Sequence, residues 1–205
     1  SNTITYANIS NTPTGSYTDG FDYSYFSFLT NGTLTVTRGG LCDVLVIGGG
    51  GAGGYWYGGG GGAGGMLSVE NAYLPVGSHD VIVGAGGVSN WVAFKTVGNN
   101  GEASGLWKYF APGGGGGGYD NSASVQNASP GLNGGSGGGG TEPGQAVGKG
   151  VPGLGHDGGP QNGDNGSGGG GAGEPGNTAG YGYGGDGLAS SITGSSIFYA
   201  GGGAG

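Results

Sequence analysis

The 205-residue sequence predicts an all-β protein with essentially no α-helix: a small, jelly-roll-like β-sandwich combined with a packed bundle of polyglycine II helices. Three observations lead to this prediction. Glycine supplies 63 of the residues, far above its usual share of about 7%. Short segments rich in β-branched and aromatic residues recur along the chain. No segment keeps the helical period of about 3.6 residues over several turns.

The first strands are predicted from an alternation of apolar and hydroxyl-bearing residues. Asn31-Gly32 favours the type I′ turn of a β-hairpin, and it lies between the alternating segments 25–30 and 33–38. The apolar segment 41–47 is predicted to form a buried strand. Further strands are predicted at 65–69, 79–83, 93–97 and 195–199, and those within about 65–110 are expected to complete the sandwich.

The composition divides the chain into an N-terminal β region, residues 1–47, and a glycine-rich domain, residues 48–205. Dense glycine runs of similar length lie at 48–54, 58–65, 113–118, 134–140, 168–173 and 201–205. A polyproline II chain has three residues per turn and no internal hydrogen bonds, so runs without side chains can bond one another. We therefore predict polyglycine II runs at 48–65 and 113–205, packed into one block. The alternative is a disordered tail, which leaves the large aromatic residues between the runs unexplained.

The charge and cysteine content exclude several classes of protein. Four Lys and Arg residues stand against twelve Asp and Glu, for a net charge of −8, so no surface is expected to neutralise nucleic-acid phosphates. No apolar run approaches the length of about 18 residues that spans a membrane. Cys42 is the only cysteine, which excludes a disulfide framework. Neither nucleic-acid binding nor membrane insertion is therefore predicted.

Residues 48–53 match G-x-G-x-x-G directly after an apolar strand, as in dinucleotide-binding folds. In those folds the third glycine opens a helix whose N-terminus holds the pyrophosphate. Here the aromatic segment 55–57 and the glycines 58–62 follow, so we expect no helix and no cofactor. His79 and His156 lack the spacing of metal ligands or catalytic bases. The sequence predicts no catalytic residue, no metal site and no enzyme activity.

The strand and glycine segments follow one another in a recognisable order. That order consists of 44–54, 58–65, 75–87, 98–105, 113–118 and 199–203. It resembles the glycine-rich domain of many bacteriophage tail-fibre and receptor-binding proteins, and the resemblance covers roughly residues 25–205. More distantly, the arrangement is similar to the glycine-rich ectodomain of the anaplastic lymphoma kinase family.

This resemblance implies a small β-sandwich from which a bundle of polyglycine II helices extends at the tip of a tail fibre. It also implies that the end loops, and not the glycines, contact a receptor on the bacterial surface. Many members continue past the last glycines into a closing apolar strand, whereas this sequence stops at Gly205. We therefore expect either a fragment or a closing strand that comes from elsewhere, such as another subunit.

The leading hypothesis is a tail-fibre adhesin domain, located on the virion tail or outside the cell. Its expected partner is a carbohydrate or an outer-membrane protein of the host surface, and a homo-oligomer or attachment to a larger fibre is expected. Because a glycine block offers a ligand no side chains, recognition is predicted in the loops between the runs. The candidate residues are Tyr55, Trp56, Tyr57, Tyr119, Asp120, Asn121, Gln161 and Asn162. In the alternative interpretation, the aromatic cluster 55–57 packs over the join between sandwich and block.

A non-viral extracellular fibril or surface-coat subunit is the alternative function, assembled by exchange of a missing strand. N-glycosylation sequons bear on this alternative, because they would carry sugar in a secreted eukaryotic protein and would be accidental in a phage. They begin at Asn8, Asn31, Asn127 and Asn165.

Overall fold

The computed structural model describes residues 3–89, 96–120, 128–141, 146–160, 165–177 and 182–205. Within these ranges the chain contains β-strands and no helix, so the all-β prediction is confirmed. The strands are β1 (Asn8–Ile9), β2 (Gly15–Thr18), β3 (Asp22–Tyr25), β4 (Gly32–Arg38), β5 (Gly40–Ile47), β6 (Met66–Leu74), β7 (Gly77–Ile82), β8 (Ser104–Leu106), β9 (Tyr109–Ala111), β10 (Leu188–Ser190) and β11 (Ile197–Tyr199).

An antiparallel sheet of five strands, in the order β1-β4-β7-β8-β9, lies against the antiparallel pair β5-β6. Leu34 and Val36 from β4 and Val81 from β7 pack with Leu74 from β6, and all four side chains are buried. A second buried cluster joins β5, β6 and β9. The core is therefore formed by strands that precede the first glycine runs in the sequence, β4 and β5, together with strands that follow them, β6, β7 and β9.

Most of the sequence-predicted strands are found. Those at 41–47, 65–69 and 79–83 correspond to β5, β6 and β7, and the one at 195–199 corresponds to β11. The predicted strand at 93–97 falls largely on 90–95, outside the described residues, and the two residues that follow are not in a strand. The jelly-roll connectivity stays a prediction.

The predicted hairpin around Asn31-Gly32 is wrong. Strand β4 pairs with β1 on one edge and with β7 on the other, so it has no free edge for residues 25–30. Neither Asn31 nor Gly32 has the positive φ that a type I′ turn requires. Instead, the Asn31 side chain accepts a hydrogen bond from the backbone N–H of Val83, at 2.8 Å. The Asn31 side chain thus forms a hydrogen bond between the start of β4 and the residue that follows β7.

Cys42 lies between the two apolar clusters and packs against both. Burial raises the pKa of its thiol to about 11, and the neighbouring Asp43 carboxylate adds to the rise. Relative to an ordinary thiol of pKa about 8.5, the thiolate fraction at pH 8 falls by about two orders of magnitude.

We therefore expect Cys42 in the native protein to react with a thiol reagent at least about 100-fold more slowly than in the unfolded chain. Stopped-flow labelling at pH 8, with and without denaturant, measures the ratio. Equal rates in the two states would contradict the half-buried position of this side chain between the two clusters.

The glycine runs bond one another at every third residue. In the run 48–54, the N–H groups of Gly48, Gly51 and Gly54 donate to carbonyls of the run 58–65, at 2.8–3.0 Å. The next residue after each of the first two donors bonds elsewhere: the N–H of Gly49 donates to Glu102, and that of Ala52 donates to Asn99. The third neighbour is the run 113–118, whose N–H groups donate to carbonyls of the run 48–54. Each run therefore faces different neighbours in successive directions around its axis.

Residues 135–141 lie in the interior of this block and are all buried. Hydrogen bonds join the run 134–140 to neighbours on all sides, in 58–65, 113–118, 132, 146–150, 155–160 and 166–173. A repeat of three residues with bonds only to neighbours is the pattern expected of polyglycine II. The pattern supports that conformation, which stays a prediction.

Candidate functional site

The aromatic segment 55–57 lies at the end of the block that points away from the sandwich, which we call the far end. Gly48 directly follows β5 and bonds to Gly65, which directly precedes β6. Gly54, at the other end of the first run, bonds to Gly59 at 3.0 Å. Residues 55–57 therefore connect two antiparallel runs at the point farthest from the strands.

Several other connections reach the same end. The N–H of Tyr55 donates to Thr96, and Gly118 accepts from Gly59. The hydroxyl of Thr141 donates to the carbonyl of Tyr119, at 3.1 Å. Further bonds and close backbone approaches join residues 140, 159, 166, 177 and 182–183 to this level of the block. The far end is thus bordered by described residues that flank four segments of the sequence. The segments themselves lie outside the described residues, at 121–127, 142–145, 161–164 and 178–181.

Five of the sequence-predicted site residues come together here. The rings of Tyr55 and Trp56 are 6.2 Å apart, and those of Trp56 and Tyr57 are 5.7 Å apart in an edge-to-face arrangement. The N–H of Asp120 donates to the carbonyl of Trp56 at 3.3 Å, which brings Tyr119 and Asp120 beside the aromatic segment. The remaining candidates, Asn121, Gln161 and Asn162, lie outside the described residues.

The backbone presents Trp56 and Tyr57 to solvent. Their side chains are 53% and 55% exposed, and both residues adopt left-handed φ values, 47° and 46°. Such a conformation costs an L-residue with a Cβ atom roughly 1–2 kcal/mol. Two bulky aromatic residues are therefore held at a sharp turn where glycine would fit with less strain. The interpretation that this cluster covers the join between sandwich and block is wrong, because the cluster lies at the opposite end.

Asp120 supplies a polar group next to these rings. Its Oδ1 atom is shielded from solvent and has no hydrogen-bond partner among the described residues. A buried carboxylate oxygen normally accepts at least one hydrogen bond. The far end therefore combines exposed aromatic faces with a half-buried carboxyl group, one oxygen of which is shielded from solvent.

Residues 48–53, the dinucleotide-like motif, are in no helix, and no helix follows them in the described residues up to 89. A Cβ atom built on Gly48, Gly49 or Gly51 would overlap the backbone of a neighbouring segment, whereas one on Gly50 or Gly53 would make ordinary contact at 3.7–3.8 Å. Close packing therefore requires the first of the three glycines that define the motif, but not the other two. Among the described residues, His, Cys, Asp and Glu form no group of three or more that could hold a metal ion. The same residues include no helix long and apolar enough to cross a bilayer.

The sequon asparagines Asn8, Asn31 and Asn165 are all exposed. The fourth, Asn127, lies outside the described residues. Exposure alone does not separate a glycosylated fibril from a phage adhesin, because it is common to all three asparagines.

A second aromatic cluster was not predicted. Trp107 lies at the two-residue turn between β8 and β9, and its ring is 5.9–6.4 Å from those of Tyr73, His79 and Tyr109. The ammonium group of Lys108 lies 4.6 Å from the centre of the Trp107 ring. Trp107 also has a left-handed φ, 52°. Trp-Lys carries none of the residues that usually mark such a turn, so the sequence offered no signal for it.

Comparisons with known proteins give one match. A protein-family model described as a glycine-rich domain matches residues 29–205, which includes β4 to β11 and the whole glycine block. Neither the curated proteins nor the solved structures that were compared gave a match.

Proposed function

Because the chain belongs to the glycine-rich domain family, we propose that it is a non-enzymatic recognition module of the tail-fibre adhesin type. Its glycine block is a rigid stem, and its far end binds a carbohydrate or an outer-membrane protein on a host cell surface. The module works on a virion tail or otherwise outside the cell, as a homo-oligomer or attached to a larger fibre.

The observation that carries this proposal is the position of the aromatic segment 55–57. Tyr and Trp supply large contact areas at a low entropic cost, which suits them to recognition surfaces. Two of these residues are exposed in a strained backbone conformation at the far end. Strain at exposed residues is frequent at binding sites, where surrounding structure holds it in place. The half-buried Asp120 lies directly beside these rings.

The double substitution Trp56→Gly/Tyr57→Gly tests the proposal. We expect retention on Gram-negative outer-membrane vesicles, and signals on a microarray of bacterial glycans, to fall by about tenfold or more, because exposed aromatic anchors dominate such interfaces. The melting temperature should stay unchanged or rise, since glycine adopts a positive φ without strain.

Trp107→Gly is the matched control. It removes an aromatic residue with the same left-handed φ from the sandwich, and it should leave attachment unchanged. If attachment survives the double substitution and also the replacement of residues 121–127, 142–145, 161–164 and 178–181 by Ser-Gly, the adhesin proposal fails.

The sequons favour one second candidate, a non-viral extracellular fibril or surface-coat subunit. Intact-mass spectrometry of the protein from its natural source distinguishes the two candidates. Carbohydrate on Asn8, Asn31 or Asn165 supports the fibril, and an unmodified mass together with binding to bacterial vesicles supports the adhesin.

A further inference from the structure

One side of the glycine block has an open groove of about 590 Å³. Its floor is the run 155–160, and its walls come from 147–152 and 175–176. Lys149 and Asp157 form an ion pair of 2.8 Å there. The hydrogen bond from Lys149 lowers the pKa of the Asp157 carboxyl, and a bond from the N–H of Gly150 adds to this effect. The charges of the pair cancel, so the groove suits an uncharged occupant.

The hydrogen bonds of the run 155–160 reveal which backbone groups face the groove. In the polyglycine II conformation predicted for the block, N–H groups at successive positions point in directions about 120° apart. The N–H of Gly158 donates to the run 146–150, and that of Gly159 donates to the run 166–173. The N–H of His156 donates to the side chain of Ser136, at 3.3 Å. The third direction belongs to the N–H of Asp157, which bonds to no described residue.

The carbonyl groups of this run follow the same rule. Those of His156 and Gly159 accept from the run 134–140, and that of Asp157 accepts from Gly176, at 3.0 Å. The remaining direction belongs to the carbonyls of Gly155 and Gly158, which accept no hydrogen bond from the described residues. Because the lining of the groove contains all three residues, we assign these two carbonyls, three residues apart, and the Asp157 N–H to the groove.

We propose that this groove binds a further extended segment of another polypeptide, rich in glycine and proline, as an added member of the glycine block. The bound segment donates N–H groups three residues apart to the carbonyls of Gly155 and Gly158, and one of its carbonyls accepts from Asp157. The packing is the same as between the runs inside the block, where neighbouring backbones bond at every third residue.

The packing also defines the sequence that fits. Inside the block, a Cβ atom on Gly158 would overlap the carbonyl of Gly138, and one on Gly139 would overlap that of Ser167. Each of these two glycines donates its N–H to one run and would meet a different run with a Cβ atom. A segment enclosed by the floor and both walls of the groove therefore needs glycine at its donor positions. The two residues between donors can be proline, which favours the polyproline II conformation and reduces the entropic cost of binding. A Gly-Pro-Pro repeat meets both requirements.

Titration of the full-length ¹⁵N-labelled protein with a peptide of four Gly-Pro-Pro repeats tests the proposal. We expect saturable shifts of the amide resonances of Gly155, Asp157 and Gly158 in the millimolar range or below. Two peptides serve as controls, one with alanine and one with N-methylglycine in place of every glycine. Alanine blocks close approach and N-methylglycine removes the donor, so both should bind at least tenfold more weakly.

A pair of protein variants complements the peptides. Val147→Trp places a bulky side chain in the groove and should abolish the shifts, whereas Val88→Trp, at a position that is 69% exposed outside the groove lining, should leave them unchanged. The proposal is overturned if no saturable shift occurs, or if either control peptide binds as well as the glycine peptide. Shifts of the same amides that depend on protein concentration alone would also overturn it, because a second copy would then cover the groove.

Discussion

Replacement of Gly61 by alanine is expected to lower the free energy of unfolding by about 1–3 kcal/mol, the usual range for overpacking a well-packed interior. Gly61 is buried within the block, and a Cβ atom there would overlap the backbone carbonyl of Gly51. The obstacle is backbone, which cannot move aside as a flexible side chain can. The neighbouring run must therefore shift, and the bonds between the two runs lengthen.

Gly50→Ala is the matched control, since it makes the same chemical change on the adjacent run. The nearest heavy atom to a Cβ atom on Gly50 is the carbonyl oxygen of Gly62, at 3.8 Å, which is ordinary contact. Alanine restricts the unfolded chain, so this substitution should raise the free energy of unfolding by about 0.4–1 kcal/mol. Urea denaturation of both variants gives the two values, and a change of the same sign in both would contradict the described packing of the runs.

Leu74→Ala is expected to destabilise the sandwich by about 2–5 kcal/mol, the range for truncating a buried leucine. The side chain of Leu74 is 1% exposed and packs against Leu34, Val36 and Val81, so its removal leaves a cavity between the two sheets. Thermal and urea unfolding should both report the loss.

Leu29→Ala provides the comparison, because the same atoms are removed from a side chain that is 89% exposed. Its effect should stay within about 0.5 kcal/mol, as for most surface substitutions. Equal losses in the two variants would mean that the apolar cluster around Leu74 is not the core of the sandwich.

The sequence predicted strands well where burial determines the pattern. Residues 41–47 are nearly all apolar, and the strand found there, β5, contributes Val44 and Val46 to the core. Strand pairing was harder to predict, because it depends on competition among distant partners. Asn31-Gly32 is a strong local turn signal, yet β1 and β7 occupy both edges of β4. Tertiary pairing overrode the local preference.

The arrangement of the glycine runs could not be predicted in detail, for a different reason. Runs of nearly identical glycines carry no side-chain pattern that says which run lies beside which. The far-end position of residues 55–57 follows from the hydrogen-bond register alone, since Gly54 pairs with Gly59 while Gly48 pairs with Gly65. Sequence reasoning could place recognition in the loops between the runs, but it could not place the Tyr55–Tyr57 cluster away from the sandwich.

The interior of the block is made of peptide groups, and this composition governs its response to temperature. Unfolding of an apolar core exposes hydrocarbon and raises the heat capacity, whereas exposure of polar groups lowers it. The buried run 135–141 contributes glycine, Ser136 and Thr141, so its unfolding adds little to the heat-capacity change. Hydrophobic cores weaken on cooling, but a core held by backbone hydrogen bonds does not depend on that driving force. We therefore expect the glycine block to keep its order in the cold, where the sandwich loses part of its stability.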